Sequence, residues 1–274
     1  MTRIRKRKAA VVAKTVYCIL IYIFLFLPIS VVVVNSFNAT TTKPYLSWKG
    51  FTFDWYGKLF DGSNAELLGA FGNTMIIALV STILASMIGT LAAVGMYKYK
   101  FRGKRVIDAL LYIPVVIPEI VLGISLLTVF ANVSIQRGML TLILAHVTFC
   151  IPFVIFNIRA RLAGYDLSIE EASMDLGANR WTTFFRITLP VLAPGIAGGS
   201  LLAFTLSIDD VIISYFVNGT TKTFPIRVME SVKVGVSPAV NALSTLILIG
   251  TILLVVITQT NLIHRLVSRV SKIK

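Results

Sequence analysis

Charge is the first thing this sequence has little of. Only 14% of its 274 residues are Asp, Glu, Lys or Arg, whereas about a quarter is usual in a soluble globular domain. Hydrophobic residues make up 56%, so water is not the main solvent of this fold. Cysteine is scarce as well: Cys18 and Cys150 both lie inside apolar runs. With no CxxC or zinc spacing they predict packing, and neither a disulfide framework nor a metal site. Acidic residues number 12 against 26 basic ones, for a net charge of +14. The Lys and Arg fall between long uncharged runs instead of forming one face of a domain, which argues against nucleic acid and makes the basic excess a matter of topology. HExxH, GxSxG and any Ser, His and Asp arrangement at recognisable spacing are missing, which weakens the case for an intramembrane hydrolase. A GxxxxGK[ST] loop is missing too, so ATP chemistry is not expected in this chain. No catalytic residue, metal or cofactor is predicted.

What the sequence has is long apolar runs. A helix crossing a bilayer needs about twenty apolar residues, because each backbone polar group must be satisfied within the segment. Six stretches qualify: Val16–Val34, Leu67–Met96, Ala109–Ala131, Gly138–Ile158, Val191–Val217 and Ala239–Ile263. The expected fold is therefore an all-α membrane protein with six transmembrane helices. A basic N-terminus over 1–15 precedes a single membrane domain over 16–264, and a basic tail follows over 265–274. The N-terminus resembles a signal peptide in outline, but Val16–Val34 is long and no small-x-small cleavage site follows, so a retained span is predicted. With the N-terminus in the cytoplasm, nineteen of the 26 basic residues lie on the cytoplasmic side and seven outside. That asymmetry predicts both termini in the cytoplasm.

Finer features sit on this frame. Ser81, Ala85, Gly89 and Ala93 recur every four residues on the second span, and Gly195, Gly199 and Ala203 on the fifth. Such small-residue stripes let helices approach closely where lipid gives no hydrophobic drive. Pro114 and Pro118 predict a kink or break in the third span. The outer loop 35–66 carries Trp48, Phe51, Phe53, Trp55, Tyr56 and Phe60, a composition suited to a short helix at the membrane surface.

The cytoplasmic loop 159–190 is too short for a domain and too long for a turn. Ser168 with Glu171 predicts a capping box, and Gly177 suits the left-handed residue that ends the helix. A second helix is expected from about Asn179 to Leu189, stopped by Pro190. Glu171-Ala172-Ser173, three residues, Gly177, nine residues and Ile187-Thr188-Leu189-Pro190 resemble the EAA loop of ABC importer permeases, with Ser173 where the family usually has Ala. Trp48-Lys49-Gly50-Phe51-Thr52, Tyr99-Lys100-Phe101-Arg102-Gly103-Lys104, Leu206-Ser207-Ile208-Asp209-Asp210-Val211 and Val232-Lys233-Val234-Gly235-Val236-Ser237-Pro238 extend the resemblance. Together they are similar to the second permease subunit of spermidine/putrescine ABC importers over nearly the whole chain. The resemblance implies a type I ABC importer permease fold in a bacterial inner membrane. It also implies a homologous permease as heterodimer partner, a cytosolic ABC ATPase dimer and an external polyamine-binding protein. Glu171, Ala172, Ser173, Gly177, Ile187, Leu189 and Pro190 are then the ATPase-coupling positions.

Inside the six spans the only carboxylates are Glu119, Asp209 and Asp210. Each costs several kcal/mol in hydrocarbon, on the order of insertion-scale values, unless it faces a cavity or a partner. Adjacent residues lie about 100° apart on a helix, so Asp209 and Asp210 are not both hidden by one neighbour. Two readings stay open: Asp209 or Asp210 lines a cation pathway, with Glu119 as a secondary candidate, or the two cap a broken helix or pair with a basic residue near the outer interface. Phe149, Phe153, Phe204 and Tyr215 are candidate ring faces for a cation, against plain packing; His146 is read as a hydrogen-bonded packing residue. Related permeases carry iron, sulfate, thiamine or phosphonates, and a secondary transporter is the remaining non-enzyme rival.

Overall fold

The structure, a computed structural model, describes residues 2–41 and 47–271, with side chains over 11–41, 47–233, 235–253 and 256. In chain order the helices are α1 (Thr2–Asn35), α2 (Asp54–Phe60), α3 (Ala65–Lys98), α4 (Lys104–Val116), α5 (Glu119–Asn132), α6 (Met139–Leu162), α7 (Ser168–Asp175), α8 (Arg180–Thr183), α9 (Leu189–Asp209), α10 (Ile212–Val217), α11 (Phe224–Val234) and α12 (Pro238–Ser271). A five-residue π turn, Phe184–Thr188, joins α8 to α9. No strand occurs among the described residues, only an isolated bridge between Asn38 and Phe51.

Among the described residues, four stretches are long and apolar enough to cross a membrane alone: Val11–Asn35, Ala65–Lys98, Met139–Leu162 and Arg180–Asp209. The expected third span is α4 and α5, bent by 113° between them. The break falls at Ile117, which is extended at φ −71° and ψ 137°, as a residue before proline prefers to be. Pro118 then starts α5. The sixth expected span falls on α12, whose apolar part is Pro238–Leu253 among the residues fully described.

The chain forms two compact units, one of residues 1–66 with 231–274 and one of 67–230. In the first, α12 packs with α1 and with α2. The chain leaving α1 is fastened to α2 by polar contacts: Ser36 Oγ lies 2.7 Å from the Tyr56 hydroxyl and Trp55 Nε1 donates to the Asn38 carbonyl at 2.8 Å. Phe37, Phe51 and Phe53 close over one another with ring centroids 5.1–5.3 Å apart.

In the second unit α6 is the central helix and α9 its main partner. The small-residue stripes explain how they meet. A Cβ added at Gly89 of α3 would lie 2.8 Å from Val154 Cγ1, and one at Gly199 of α9 would lie 3.0 Å from Val154 Cα. Val154 of α6 is thus gripped from both sides, and Ser81, Ala85, Ala93 and Ala203 are buried along the same stripes.

The expected fifth span is corrected at both ends. Pro190 does not stop a helix: Arg180–Asp209 runs through it. Proline lacks the N–H that would close an α turn, and the π turn just before it absorbs the mismatch, with Leu189 N bonding to the Phe184 carbonyl. At the other end the helix stops at Asp209, not Val217, and resumes as α10.

Candidate functional site

The two broken spans meet at one cavity. Its volume is about 330 Å³, and it is lined by Pro114, Val115, Ile117 and Glu119 from the first break, Leu206 and Asp209–Ile213 from the second, and Phe149 and Phe153 from α6. Five of the seven expected pathway residues, Asp209, Asp210, Glu119, Phe149 and Phe153, therefore come together. Phe204 and Tyr215 do not line this cavity; Tyr215 is exposed and packs edge-on against Phe216. Glu119 and Asp209 are exposed and form no ion pair among the described residues.

Asp210 has a different setting. It is extended at φ −62° and ψ 120°, 8% exposed, and its carboxylate caps α10. Oδ1 accepts from Ile213 N at 3.2 Å, and Oδ2 accepts from Ser214 N at 2.8 Å and Ser214 Oγ at 2.7 Å. A carboxylate satisfying the orphan N–H groups of a first turn is the expected function of a capping acid. His146, 1% exposed, stands against it with Nε2 3.4 Å from Asp210 Oδ2. The same ring lies 2.6 Å from Ser207 Oγ and 2.9 Å from Ser214 Oγ. This Ser, His and Asp gathering was invisible in the spacing, since three separate helices supply it. It is not a nucleophile site: both serines are buried and Ser214 gives its proton to the carboxylate.

The second candidate region is the elbow between α6 and α9. Its first helix, α7, has Leu167 at the N-cap with no side-chain cap, so the capping box of Ser168 and Glu171 does not form. Asp166 takes its place, its Oδ1 accepting from Ser168 N at 2.9 Å; that hydrogen bond holds the Asp166 carboxyl below its ordinary range. Gly177 ends the helix as expected, at φ +89°, with Ala178 N bonded to the Ser173 carbonyl at 3.1 Å in the arrangement of a left-handed helix stop. Asn179 then caps α8, accepting from Thr182 N at 2.8 Å.

Glu171 and Ala172 are exposed, Ser173 half-buried and bonded to Thr183 Oγ1 at 3.1 Å. Ile187 and Leu189 are half-buried, Pro190 exposed. The residue that the motif does not single out is Glu170. It is buried and accepts from Lys98 Nζ at 2.5 Å, the Tyr165 hydroxyl at 2.9 Å and Thr188 Oγ1 at 2.7 Å. Burial raises its pKa, but the hydrogen bonds from Lys98, Thr188 and Tyr165 and the charge of Lys98 outweigh it and leave the carboxyl below its ordinary value. One side chain thus ties α7 to the end of α3, the turn after α6 and the start of the fifth span. Helix phase was the available signal: Glu170 shares the inward face of Ser173 three residues on, while Glu171 is about 100° away. Outward from the elbow point Leu176 at 90% exposure, Trp181 at 72% and Phe185 at 57%.

Apolar spans broken around an acidic cavity, with a rigid helical elbow between two of them, define a membrane transport permease. The chain belongs to the family described as binding-protein-dependent transport system inner membrane component, which matches residues 85–272. It is 42% identical over 240 residues to the spermidine/putrescine transport system permease protein PotC of Escherichia coli strain K12, covering 87% of this chain and 89% of that one. Against the putrescine transport system permease protein PotI of the same strain it is 42% identical over 243 residues, covering 86% and 85%. Among solved structures it resembles a bacterial ABC transporter importing the acidic polysaccharide alginate, with a TM-score of 0.70 at 16% identity over 91% of this chain and 96% of that one. The MetNI methionine ABC transporter matches at a TM-score of 0.59 and 17% identity, over 75% and 97%. These last two establish the fold, that of ABC importer permeases, in a multi-pass membrane protein.

Proposed function

We propose that this protein forms half of the translocation pathway of an ATP-driven importer for polyamines, with spermidine or putrescine delivered by an external binding protein. A homologous permease supplies the other half, and a separate cytosolic ATPase dimer supplies hydrolysis. The chain lies in a bacterial inner membrane with both termini in the cytoplasm, a reading supported by the basic asymmetry of its loops. The observation that carries the substrate class is the cavity between the two helix breaks, lined by Glu119, Asp209 and the rings of Phe149 and Phe153. A polyamine is a row of protonated amines spaced by methylenes. Carboxylates attract the amines and ring faces suit both cations and methylenes. The 42% identity to two polyamine permeases supports the same class.

Glu171, Ala172, Ser173, Gly177, Ile187, Leu189 and Pro190 carry the coupling to the ATPase in this reading. Support comes from the elbow being rigidly tied inward through Glu170 while presenting Leu176, Trp181 and Phe185 outward; an exposed apolar cluster of this kind marks a protein contact. The test is uptake of labelled spermidine into vesicles holding this chain, its partner permease, the ATPase and the receptor. ATP-dependent uptake is expected with the full set, and uptake by this chain alone contradicts the proposal.

A further inference from the structure

The break in the fifth span contains a buried polar relay that transport through the cavity leaves without a role. It runs from Ser81 on α3 through Ser207 on α9 and His146 on α6 to Ser214 and Asp210 at α10, and every member is at least nine-tenths buried.

The direction of each hydrogen bond follows from the acid at its end. An ionised carboxylate only accepts, and a serine hydroxyl has one proton. Ser214 Oγ gives its proton to Asp210 Oδ2 at 2.7 Å, so toward His146 Nε2, 2.9 Å away, it has only lone pairs. Nε2 therefore carries a hydrogen. Across the ring, Ser207 Oγ is 2.6 Å from Nδ1 and 3.2 Å from Ser81 Oγ, and Ser81 spends its own proton on the Ile77 carbonyl at 2.6 Å. With the Ser207 proton directed to the nearer acceptor, Nδ1, the ring is neutral.

Ser207 lies in the last turn of α9 and Ser214 in the first turn of α10, on either side of the break that carries Asp209 and Asp210. Imidazole is the one side chain that offers a donor and an acceptor on opposite edges of a rigid ring. We propose that His146, as the neutral Nε2–H tautomer, is a positioning residue that clamps both sides of the break, fixing the Asp210 cap and thereby the direction in which Asp209 meets the cavity. The proposal rests on the reading of that cavity as the polyamine pathway. No proton transfer is part of it; the ring holds its proton in place.

The chain has two histidines, His146 and His264, so nitrogen-15 histidine labelling of this chain alone, assembled with unlabelled partner subunits, gives two ring systems, and His264→Gln leaves one. At pH 7 a protonated Nε2 and an unprotonated Nδ1 are expected; an Nδ1–H tautomer or a doubly protonated ring overturns the proposal. Spermidine uptake supplies the second reading. His146→Gln, whose amide N–H still reaches toward Ser214, is expected to stay within about threefold of the wild-type maximal rate. His146→Phe, similar in bulk but unable to bond either serine, is expected to lose at least about tenfold, with KM for the loaded receptor unchanged. A wild-type rate in His146→Phe overturns the clamp. Should that variant fail to assemble, Ser214→Ala removes the relay for the loss of one hydroxyl; about a tenfold drop is expected, and an unchanged rate overturns it. Unchanged uptake in Asp209→Asn with His146→Phe still impaired removes the pathway reading and leaves the clamp standing.

Discussion

Glu170–Glu171 and Asp209–Asp210 are both adjacent carboxylate pairs, and both divide in the same way. Glu170 and Asp210 are buried and hydrogen-bonded, Glu170 by donors from three separate segments and Asp210 by donors from the first turn of α10. Glu171 and Asp209 are exposed, one on the elbow and the other on the cavity. Glu170 and Glu171 point about 100° apart on α7, and Asp209 and Asp210 are parted by the end of α9, where Asp210 turns extended, so each pair gives the fold one anchor and leaves one charge free. The difference teaches that the two roles are separable: one acid of each pair holds structure, and the other is available to a ligand or partner.

Substitutions break or sharpen this division. The largest effect is expected at Asp210→Ala, which removes the cap of α10 and leaves the Ser214 hydroxyl without its acceptor. A loss of about 3 kcal/mol is expected in thermal unfolding in detergent, and a loss below about 1 kcal/mol would mean Asp210 is not an anchor. Glu170→Ala comes next, at about 2 kcal/mol, with Glu170→Gln milder because it keeps partners for Tyr165 and Thr188. The pH dependence of Glu170 follows from its depressed pKa. Its contribution is fully present above the ordinary value of 4.5 and is lost as pH falls through the lower folded value. Unfolding of the wild type between pH 8 and 5 should therefore show no step from this group, and Glu170→Gln should flatten the acid limb below it. Smallest of all are Asp209→Asn and Glu171→Gln, each expected within about 0.5 kcal/mol of wild type. Glu171→Gln should instead weaken copurification of the ATPase.

The long apolar helices and the proline break were legible in the sequence because apolar length and the restriction on Ile117 before Pro118 act locally. Gly177 was legible for the same reason, since a helix stop needs a left-handed residue. The misreadings all involve competition between neighbours. Ser168 looked like a cap, but Asp166 two residues earlier reaches the same first turn. Pro190 looked like a stop, but a π turn lets the helix pass it. The even choice between pathway and cap for Asp209 and Asp210 reflected the same limit: periodicity gives the angle between two acids but not the neighbour each one meets. His146 was read as hydrogen-bonded packing, and its buried ring does bond two serines. That these sit on opposite sides of a helix break depends on the packing of α6 against α9, which no local pattern encodes.

The most direct measurement is ATP-driven spermidine uptake together with ATP hydrolysis in vesicles of the full importer carrying Asp209→Asn. A carboxylate on the pathway predicts a fall in uptake of about tenfold while folding and hydrolysis persist. Wild-type uptake in that variant would contradict it and leave the acidic cavity without a part in transport.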